Sequence, residues 1–303
     1  MTKKIIQALL AAFIWGVAFV AQSAGAGTVP PFTFNASRSL IAVATLGVFL
    51  LLKTSHQKRN SPNQNNRIFT KPLLIYGAIC GTILTIACNL QQFGIAVGTD
   101  AGKASFITAL YLVLVPLFGW LLGHRVTWLT GVSVALAMVG MYLLCLNQAF
   151  TIQTGDILII LCAFFFCAHI LSIDRFAPQT DPIALSFVQF SVMTIESAIL
   201  ALICETPTWS GIWASILPIL YVGIFSSGVA YTLQIAAQKD ADPTMITLLL
   251  SLESVFGALA GAVVLHERMT PKELLGCGIL LFAVLLSQIP LHVLVGWFQK
   301  RKK

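Results

Sequence analysis

Charge is what this chain has least of. Only 10% of its 303 residues are Asp, Glu, Lys or Arg, against 57% hydrophobic, and the mean hydropathy is +0.88. Soluble domains usually carry about 25% charged residues, so a water-soluble globule built around one core is excluded. A nucleotide-driven machine is excluded as well, because there is no G-x-x-x-x-G-K-[ST] run and no polar stretch long enough to hold one. The five histidines (His56, His124, His169, His266 and His292) are scattered, without H-E-x-x-H or paired acids on one face, and no serine sits in G-x-S-x-G. The seven cysteines (Cys80, Cys88, Cys145, Cys162, Cys167, Cys204 and Cys277) show no C-x-x-C or Cys/His metal spacing and read as small packing residues. These absences argue against an enzyme, and neither a cofactor nor a metal is expected.

What the chain does have is apolar length. Its polar breaks divide it into ten segments, at about 5–23, 32–52, 72–95, 99–122, 127–146, 155–174, 181–204, 212–238, 243–265 and 271–293, each near the roughly 20 residues that cross a bilayer as a helix. The expectation is an all-α polytopic membrane protein of ten transmembrane helices. Lys3 and Lys4 before an apolar run, with Ala24-Gly25-Ala26 beyond it, also resemble a signal peptide, but nine further spans favour a first transmembrane helix. The net charge of +7 is lopsided rather than diffuse. With the N-terminus inside, Lys53, Lys58, Arg59, Arg67, Lys71, Arg125, Arg175, Lys239 and the tail "QKRKK" share its side; only Lys103, Arg268 and Lys272 lie opposite. That asymmetry predicts a multi-pass protein of the cytoplasmic (inner) membrane with both termini cytoplasmic. The tail is then a lipid-headgroup anchor rather than a nucleic-acid patch, and membrane lipid is the expected surround; a homodimer is compatible with the sequence.

Two halves are visible, 1–148 and 149–303. "AAFIWGVAFV" aligns with "CAFFFCAHIL" at an offset of 151, which also lays Pro31 on Pro182; "GHRVT" aligns with "HERMT" at 143. Because each half holds five spans, an odd number, the two must sit in opposite orientation. Inverted five-helix repeats are a carrier signature, with the solute near the midplane between them. Asp181-Pro182, Asp242-Pro243 and Thr270-Pro271 read as helix starts. Pro116 and Pro218 permit kinks, and Gly77/Gly81, Gly94/Gly98, Gly119/Gly123 and Gly257/Gly261 are small-residue pairs suited to close helix contact.

Polar groups inside apolar spans carry the functional signal, since hydrocarbon offers them no partner. Thr82, Thr85, Asn89 and Gln92 recur at helical spacing in the third span; Ser227, Tyr231, Gln234 and Gln238 do so in the eighth. An offset of 142 lays Thr85, Asn89 and Gln92 over Ser227, Tyr231 and Gln234. Either the two stripes face each other across a wet cavity and bind the solute, or they are interhelical hydrogen-bonding glue. Glu253, in the ninth span, is the candidate for proton coupling or an amine-bearing solute, although Thr244, Thr247, Ser251 and Ser254 occupy a different face of the same helix. Glu196 and His169 read first as structural. Arg38 lies six residues, roughly 9 Å, into the second span, on the side where a topological cation is not expected; a structural tie and a solute anchor are both open.

Several stretches in order resemble one family. "FIWGVAFVAQ", "FNASRSLIA", "NLQQFGIAVGTDAGKASFITALYLVLVPLFG" and "LLLSLESVFGALAGAVVLHER" are similar to the EamA-type transporters of the drug/metabolite transporter superfamily. The resemblance implies secondary carriers of small metabolites, often amino acids or related amphiphiles and commonly outward, with Trp15, Arg38 and Glu253 at family-typical positions. Ser254 stands where the family usually has proline, His124 replaces an acid, and Gln189 stands opposite Arg38 in the repeat. The expected function is therefore alternating-access transport of a small-molecule solute, with a channel or scaffold as the alternative class.

Overall fold

The computed structural model describes residues 2–60, 68–99, 101–124, 126–145, 153–239, 241–264 and 269–287. Arg125, Arg268, His266, His292 and the basic tail lie outside the described residues, as do 61–67 of the polar loop and 146–152 between the halves.

The described chain is helical. The first half comprises α1 (Thr2–Ala26), α2 (Pro31–Asn60), α3 (Lys71–Ala96), α4 (Ala101–Thr108), α5 (Tyr111–Leu121) and α6 (Trp128–Cys145). The second comprises α7 (Thr154–Phe176), α8 (Pro182–Cys204), α9 (Trp209–Ala214), α10 (Ile216–Tyr221), a π-helical stretch Val222–Ala230, α11 (Tyr231–Gln238), α12 (Pro243–Leu250), α13 (Glu253–Val264) and α14 (Pro271–Ser287). Nine spans of at least 18 residues are apolar enough to cross a membrane among the described residues; the tenth, α14, is described over 17. The molecule is thus a ten-helix membrane bundle. Its outer face is covered with bare Leu, Ile, Phe and Trp side chains, the composition that lipid solvates and water does not.

The helix starts follow their capping chemistry. Asp181 accepts from the Ala184 N–H at 3.1 Å and Asp242 from the Met245 N–H at 2.9 Å, each followed by proline. Thr270 and Glu273 form a reciprocal capping box, with the Thr270 N–H donating to Glu273 Oε2 at 2.6 Å. Gly98 and Gly123 have φ of +106° and +95° and end their helices, so in these two pairs the second glycine terminates rather than packs. Gly77 and Gly81 do pack, against Val188 and Gln189 of α8.

Three spans are discontinuous. The fourth breaks at Ala109-Leu110 and the ninth at Ser251-Leu252, so α4 and α12 match residue for residue at an offset of 142, and Tyr111 and Glu253 each open the following half-helix. Pro116 does not mark the first break; the chain tightens one turn earlier, where the Leu112 N–H reaches Ala109 O at 2.9 Å. Nor does proline cause the second. There Thr247 and Ser251 hydroxyls donate to backbone carbonyls within their own turn, at 2.8 and 2.7 Å, which competes with the helical ladder and bends it. The eighth span widens into the π-helix a few residues after Pro218.

Packing obeys the repeat. α6 lies on α14, α2 on α8, and α5 on α12, each pair joining equivalent spans of the two halves. The remaining major contacts come in exchanged pairs: α3 with α7 mirrors α1 with α11, and α3 with α8 mirrors α2 with the π-helix. Glycine permits the closest approaches. A Cβ at Gly16 would sit 2.5 Å from Glu253 O and 2.7 Å from Gly257 N. Gly16→Ala is therefore expected to cost about 1–3 kcal/mol by overpacking, read as a lower melting temperature in detergent, whereas Gly27→Ala, with nothing within 4 Å, leaves it unchanged.

Candidate functional site

A cavity at the centre of the bundle is walled by both halves. It holds about 560 Å³ of space not filled by atoms, its mouth included, and is walled by α1 (Trp15, Phe19, Gln22), α2 (Arg38), α3 (Gln91), the fourth span (Thr108, Tyr111), α7 (Phe166, His169), the eighth span (Ser226, Tyr231, Gln234) and the ninth (Glu253). Small residues let these groups in. Ala18 of α1 leaves room, and Gly223 brings the π-helix onto α2, where an added Cβ would meet Arg38 O at 2.8 Å. The π-helix also turns a backbone carbonyl inward, and Trp15 Nε1 donates to Ser226 O at 3.3 Å.

Aromatic rings form much of the wall. Trp15 and Phe190 pack edge-on against Tyr231, with centroids 4.8 and 5.3 Å apart, and the His169 ring is 6.0 Å from it. The charged groups stand apart from one another. Arg38 is 2% exposed and hydrogen-bonds to no described residue; the ion pairs among described residues are Lys53–Asp181, Lys103–Asp156 and His124–Asp174. Glu253 is 5% exposed and has one partner, the Tyr111 hydroxyl, which donates to Oε1 at 3.3 Å. His169 Nε2 meets Gln189 Oε1 at 3.1 Å, and its Nδ1 has no partner.

Arg38 Nε, Gln22 Oε1, Gln234 Oε1 and His169 Nδ1 are buried without a hydrogen bond, and all four residues line this cavity. Native interiors leave few polar atoms orphaned. Of the eleven such atoms among the described residues, these four belong to residues that wall the cavity.

Six of the sequence candidates thus share one wall: Trp15, Arg38, His169, Tyr231, Gln234 and Glu253. Four others are packed between helices instead. Thr85 donates to Gly81 O at 2.9 Å; Asn89 accepts from Asn35 at 2.8 Å and donates toward Ser197 at 3.3 Å; Gln92 reaches Gln22 O at 3.4 Å; Ser227 is fully buried. The reason is rotational. A 100° helical wheel aims Ser227 and Tyr231 alike, but the π-helix widens each turn and puts Ser226 at the cavity in place of Ser227. In α3 the cavity-facing amide is Gln91, one residue off the stripe. Glu196 accepts from Thr82 at 2.7 Å away from the site. The departures from family pattern find partners too: Ser254 Oγ lies 3.0 Å from Ser105 Oγ, and His124 Nε2 lies 3.1 Å from Asp174.

Tyr111 is not among the sequence candidates, although subtracting the repeat offset of 142 from Glu253 lands on it. Gln22 and Gln91 carried no sequence signal beyond being polar in an apolar run. Among the described residues no cluster of three or more His, Cys, Asp or Glu is placed to hold a metal ion.

Known proteins bear directly on this arrangement. An uncharacterized transporter of Archaeoglobus fulgidus is 32% identical over 281 residues, covering 92% of this chain and 84% of that one. A chloroplastic WAT1-related protein of Arabidopsis thaliana is 22% identical over 293 residues, covering 92% and 67%. One solved crystal structure superposes with a TM-score of 0.78 at 17% identity, over 95% of this chain and 97% of that one, and shares the fold. The EamA-like transporter family model matches twice, over 2–146 and 153–288. The two matches fall on the two halves of the bundle, and the chain belongs to the EamA-like transporter family of membrane transporters.

Proposed function

We propose that the chain is a secondary carrier for a small zwitterionic metabolite, an amino acid or close relative, which it moves out across the cytoplasmic membrane by alternating access. The observation that carries this reading is that Arg38 and Glu253, ionisable groups of opposite sign, are buried on one cavity without an ion-pair partner among the described residues. A lone buried ion is costly. A guest with a carboxylate for Arg38 and an ammonium for Glu253 removes both penalties at once, and the rings of Trp15, Phe19, Phe166 and Tyr231 supply apolar walls for its side chain. The halves 1–148 and 149–303 are the units that rock against each other. Lys53, Arg59, Lys71, Arg175 and Lys239 gather at the end of the bundle where α1 begins, which supports cytoplasmic termini.

The test is a thermal-shift screen of purified protein against the twenty common L-amino acids. Leucine and phenylalanine are accompanied by their deaminated carboxylates (4-methylpentanoate, 3-phenylpropanoate) and their decarboxylated amines. At least one amino acid is expected to raise the melting temperature and to support counterflow in proteoliposomes, with singly charged analogues about tenfold weaker or worse. Glu253→Gln is expected to weaken the amino acid by about tenfold or more while leaving the deaminated carboxylate unaffected. Equal binding of carboxylate and amino acid by the unaltered protein refutes the zwitterion assignment, and no response to any amino acid refutes the carrier reading for this class.

A further inference from the structure

Tyr111 and Glu253 are joined by more than a hydrogen bond. They are equivalent residues of the two repeats, 142 apart, at an offset that also superposes α4 on α12 residue for residue. Each is the first residue of the half-helix that follows a break, both line the cavity, and their side chains touch at 3.3 Å. Two equivalent residues of an inverted pair can meet only on the pseudo-twofold axis that relates the halves. The axis therefore passes between the Tyr111 hydroxyl and the Glu253 carboxylate.

Symmetry then restricts what this contact does when the halves exchange shapes. A contact between residue i of one half and residue j of the other becomes, on exchange, a contact between their equivalents. An off-axis contact is thereby turned into a different one. A contact between equivalents is turned into itself.

From this we infer that Tyr111 is a positioning residue for the solute-binding carboxylate: its hydroxyl pins Glu253 Oε1 on the axis through the whole cycle, leaving Oε2 to hold the solute's ammonium while the walls move. The inference rests on the zwitterion reading above and adds a residue to it. Tyr111 touches Glu253, not the solute. Nothing else described bonds to the Glu253 carboxylate, so the pin is single. The start of α13 lies beside the same carboxylate and favours negative charge there. Arg38, by contrast, has Gln189 as its equivalent, so the anionic end of the solute is held by one half alone, and the cationic end at the seam of both.

Two variants of the full-length protein in proteoliposomes test this, using the amino acid that gives the largest thermal shift. Tyr111→Phe keeps the ring and removes the pin. Its KM for the amino acid is expected to rise about tenfold with kcat little changed, while the affinity for the deaminated carboxylate stays the same; a purely structural role moves both probes together. The second test exchanges the two residues. Glu253→Tyr alone abolishes binding of the amino acid, and adding Tyr111→Glu returns the carboxylate to the axis and recovers binding by about tenfold or more. An unchanged selectivity ratio in Tyr111→Phe together with no recovery in the exchanged variant overturns the inference. Because the unaltered protein and Arg38→Met are run alongside, failure of the zwitterion reading shows separately, as an amino acid that never bound or bound without Arg38.

Discussion

Arg38→Met is expected to abolish binding of the amino acid, by about 100-fold or more, and to leave the protein folded with an equal or higher melting temperature. The magnitude follows from the bonds at stake. A hydrogen bond to a charged group contributes about 1.5–3 kcal/mol, and a guanidinium meets a carboxylate with two of them, so losing about 3 kcal/mol corresponds to roughly 100-fold in affinity. The stability half follows from what Arg38 lacks. It is 2% exposed and its Nε is buried with no partner, so the empty protein bears an uncompensated ion that an apolar chain of similar length relieves. Arg38→Lys keeps the charge and loses the fork, and should retain an intermediate affinity. A structural tie predicts the reverse pattern, a fall in melting temperature with solute affinity intact. Thermal unfolding with and without amino acid, on the same preparations, separates the two.

The second large effect concerns the end of the bundle away from the start of α1. Lys103 of α4 pairs there with Asp156 of α7, whose carboxylate is fully buried and also accepts from the Gln153 N–H at 2.7 Å and the Thr99 hydroxyl at 3.1 Å. This tie joins one half directly to the other. Its repeat equivalents at the opposite end, Met245 and Ile5, belong to the same apolar cluster and carry no charge. The ion pairs that join the halves at the end where α1 begins, Lys53–Asp181 and His124–Asp174, are partly exposed, whereas the Asp156 carboxylate is fully buried, and opening that end separates two charges from an almost complete hydrogen-bond set. In a Lys103→Cys/Asp156→Cys protein, a short bis-thiosulfonate bridge between the two thiols is expected to cut counterflow at least about tenfold without reducing amino-acid binding from the other side, and reduction should restore it. Counterflow that runs undiminished through a verified bridge would show that this end does not open during transport.

Two helix pairs are also tied across the halves. α2 and α8 are tied at both ends, by the Lys53–Asp181 pair and by Glu205, which accepts from the Phe32 and Thr33 N–H groups at 2.8 Å each. Glu205 thereby caps the start of α2 from a different helix. α6 and α14 approach through Gly140 and Gly276, where a Cβ on Gly140 would meet Gly276 O at 2.9 Å. Both are pairs of equivalent spans.

The sequence alone indicated the class of molecule, the apolar spans and the repeat, and it singled out Arg38, His169, Tyr231, Gln234 and Glu253 among the polar groups that the structure places on the cavity; Trp15 came only with the family resemblance. It could do so because these depend on quantities that are additive along a chain: apolar length against bilayer thickness and the expense of any polar group in hydrocarbon. Which polar groups share a wall was decided only in three dimensions. A wheel of constant pitch sends Ser227 to the cavity, but the π-helix delivers Ser226; it sends Asn89 there, but Asn35 and Ser197 hold Asn89 between helices. The two helix breaks, the partner of Glu253 and the solitude of Arg38 likewise belong to the packed bundle, because helix rotation is set by neighbours on other helices, distant in the sequence.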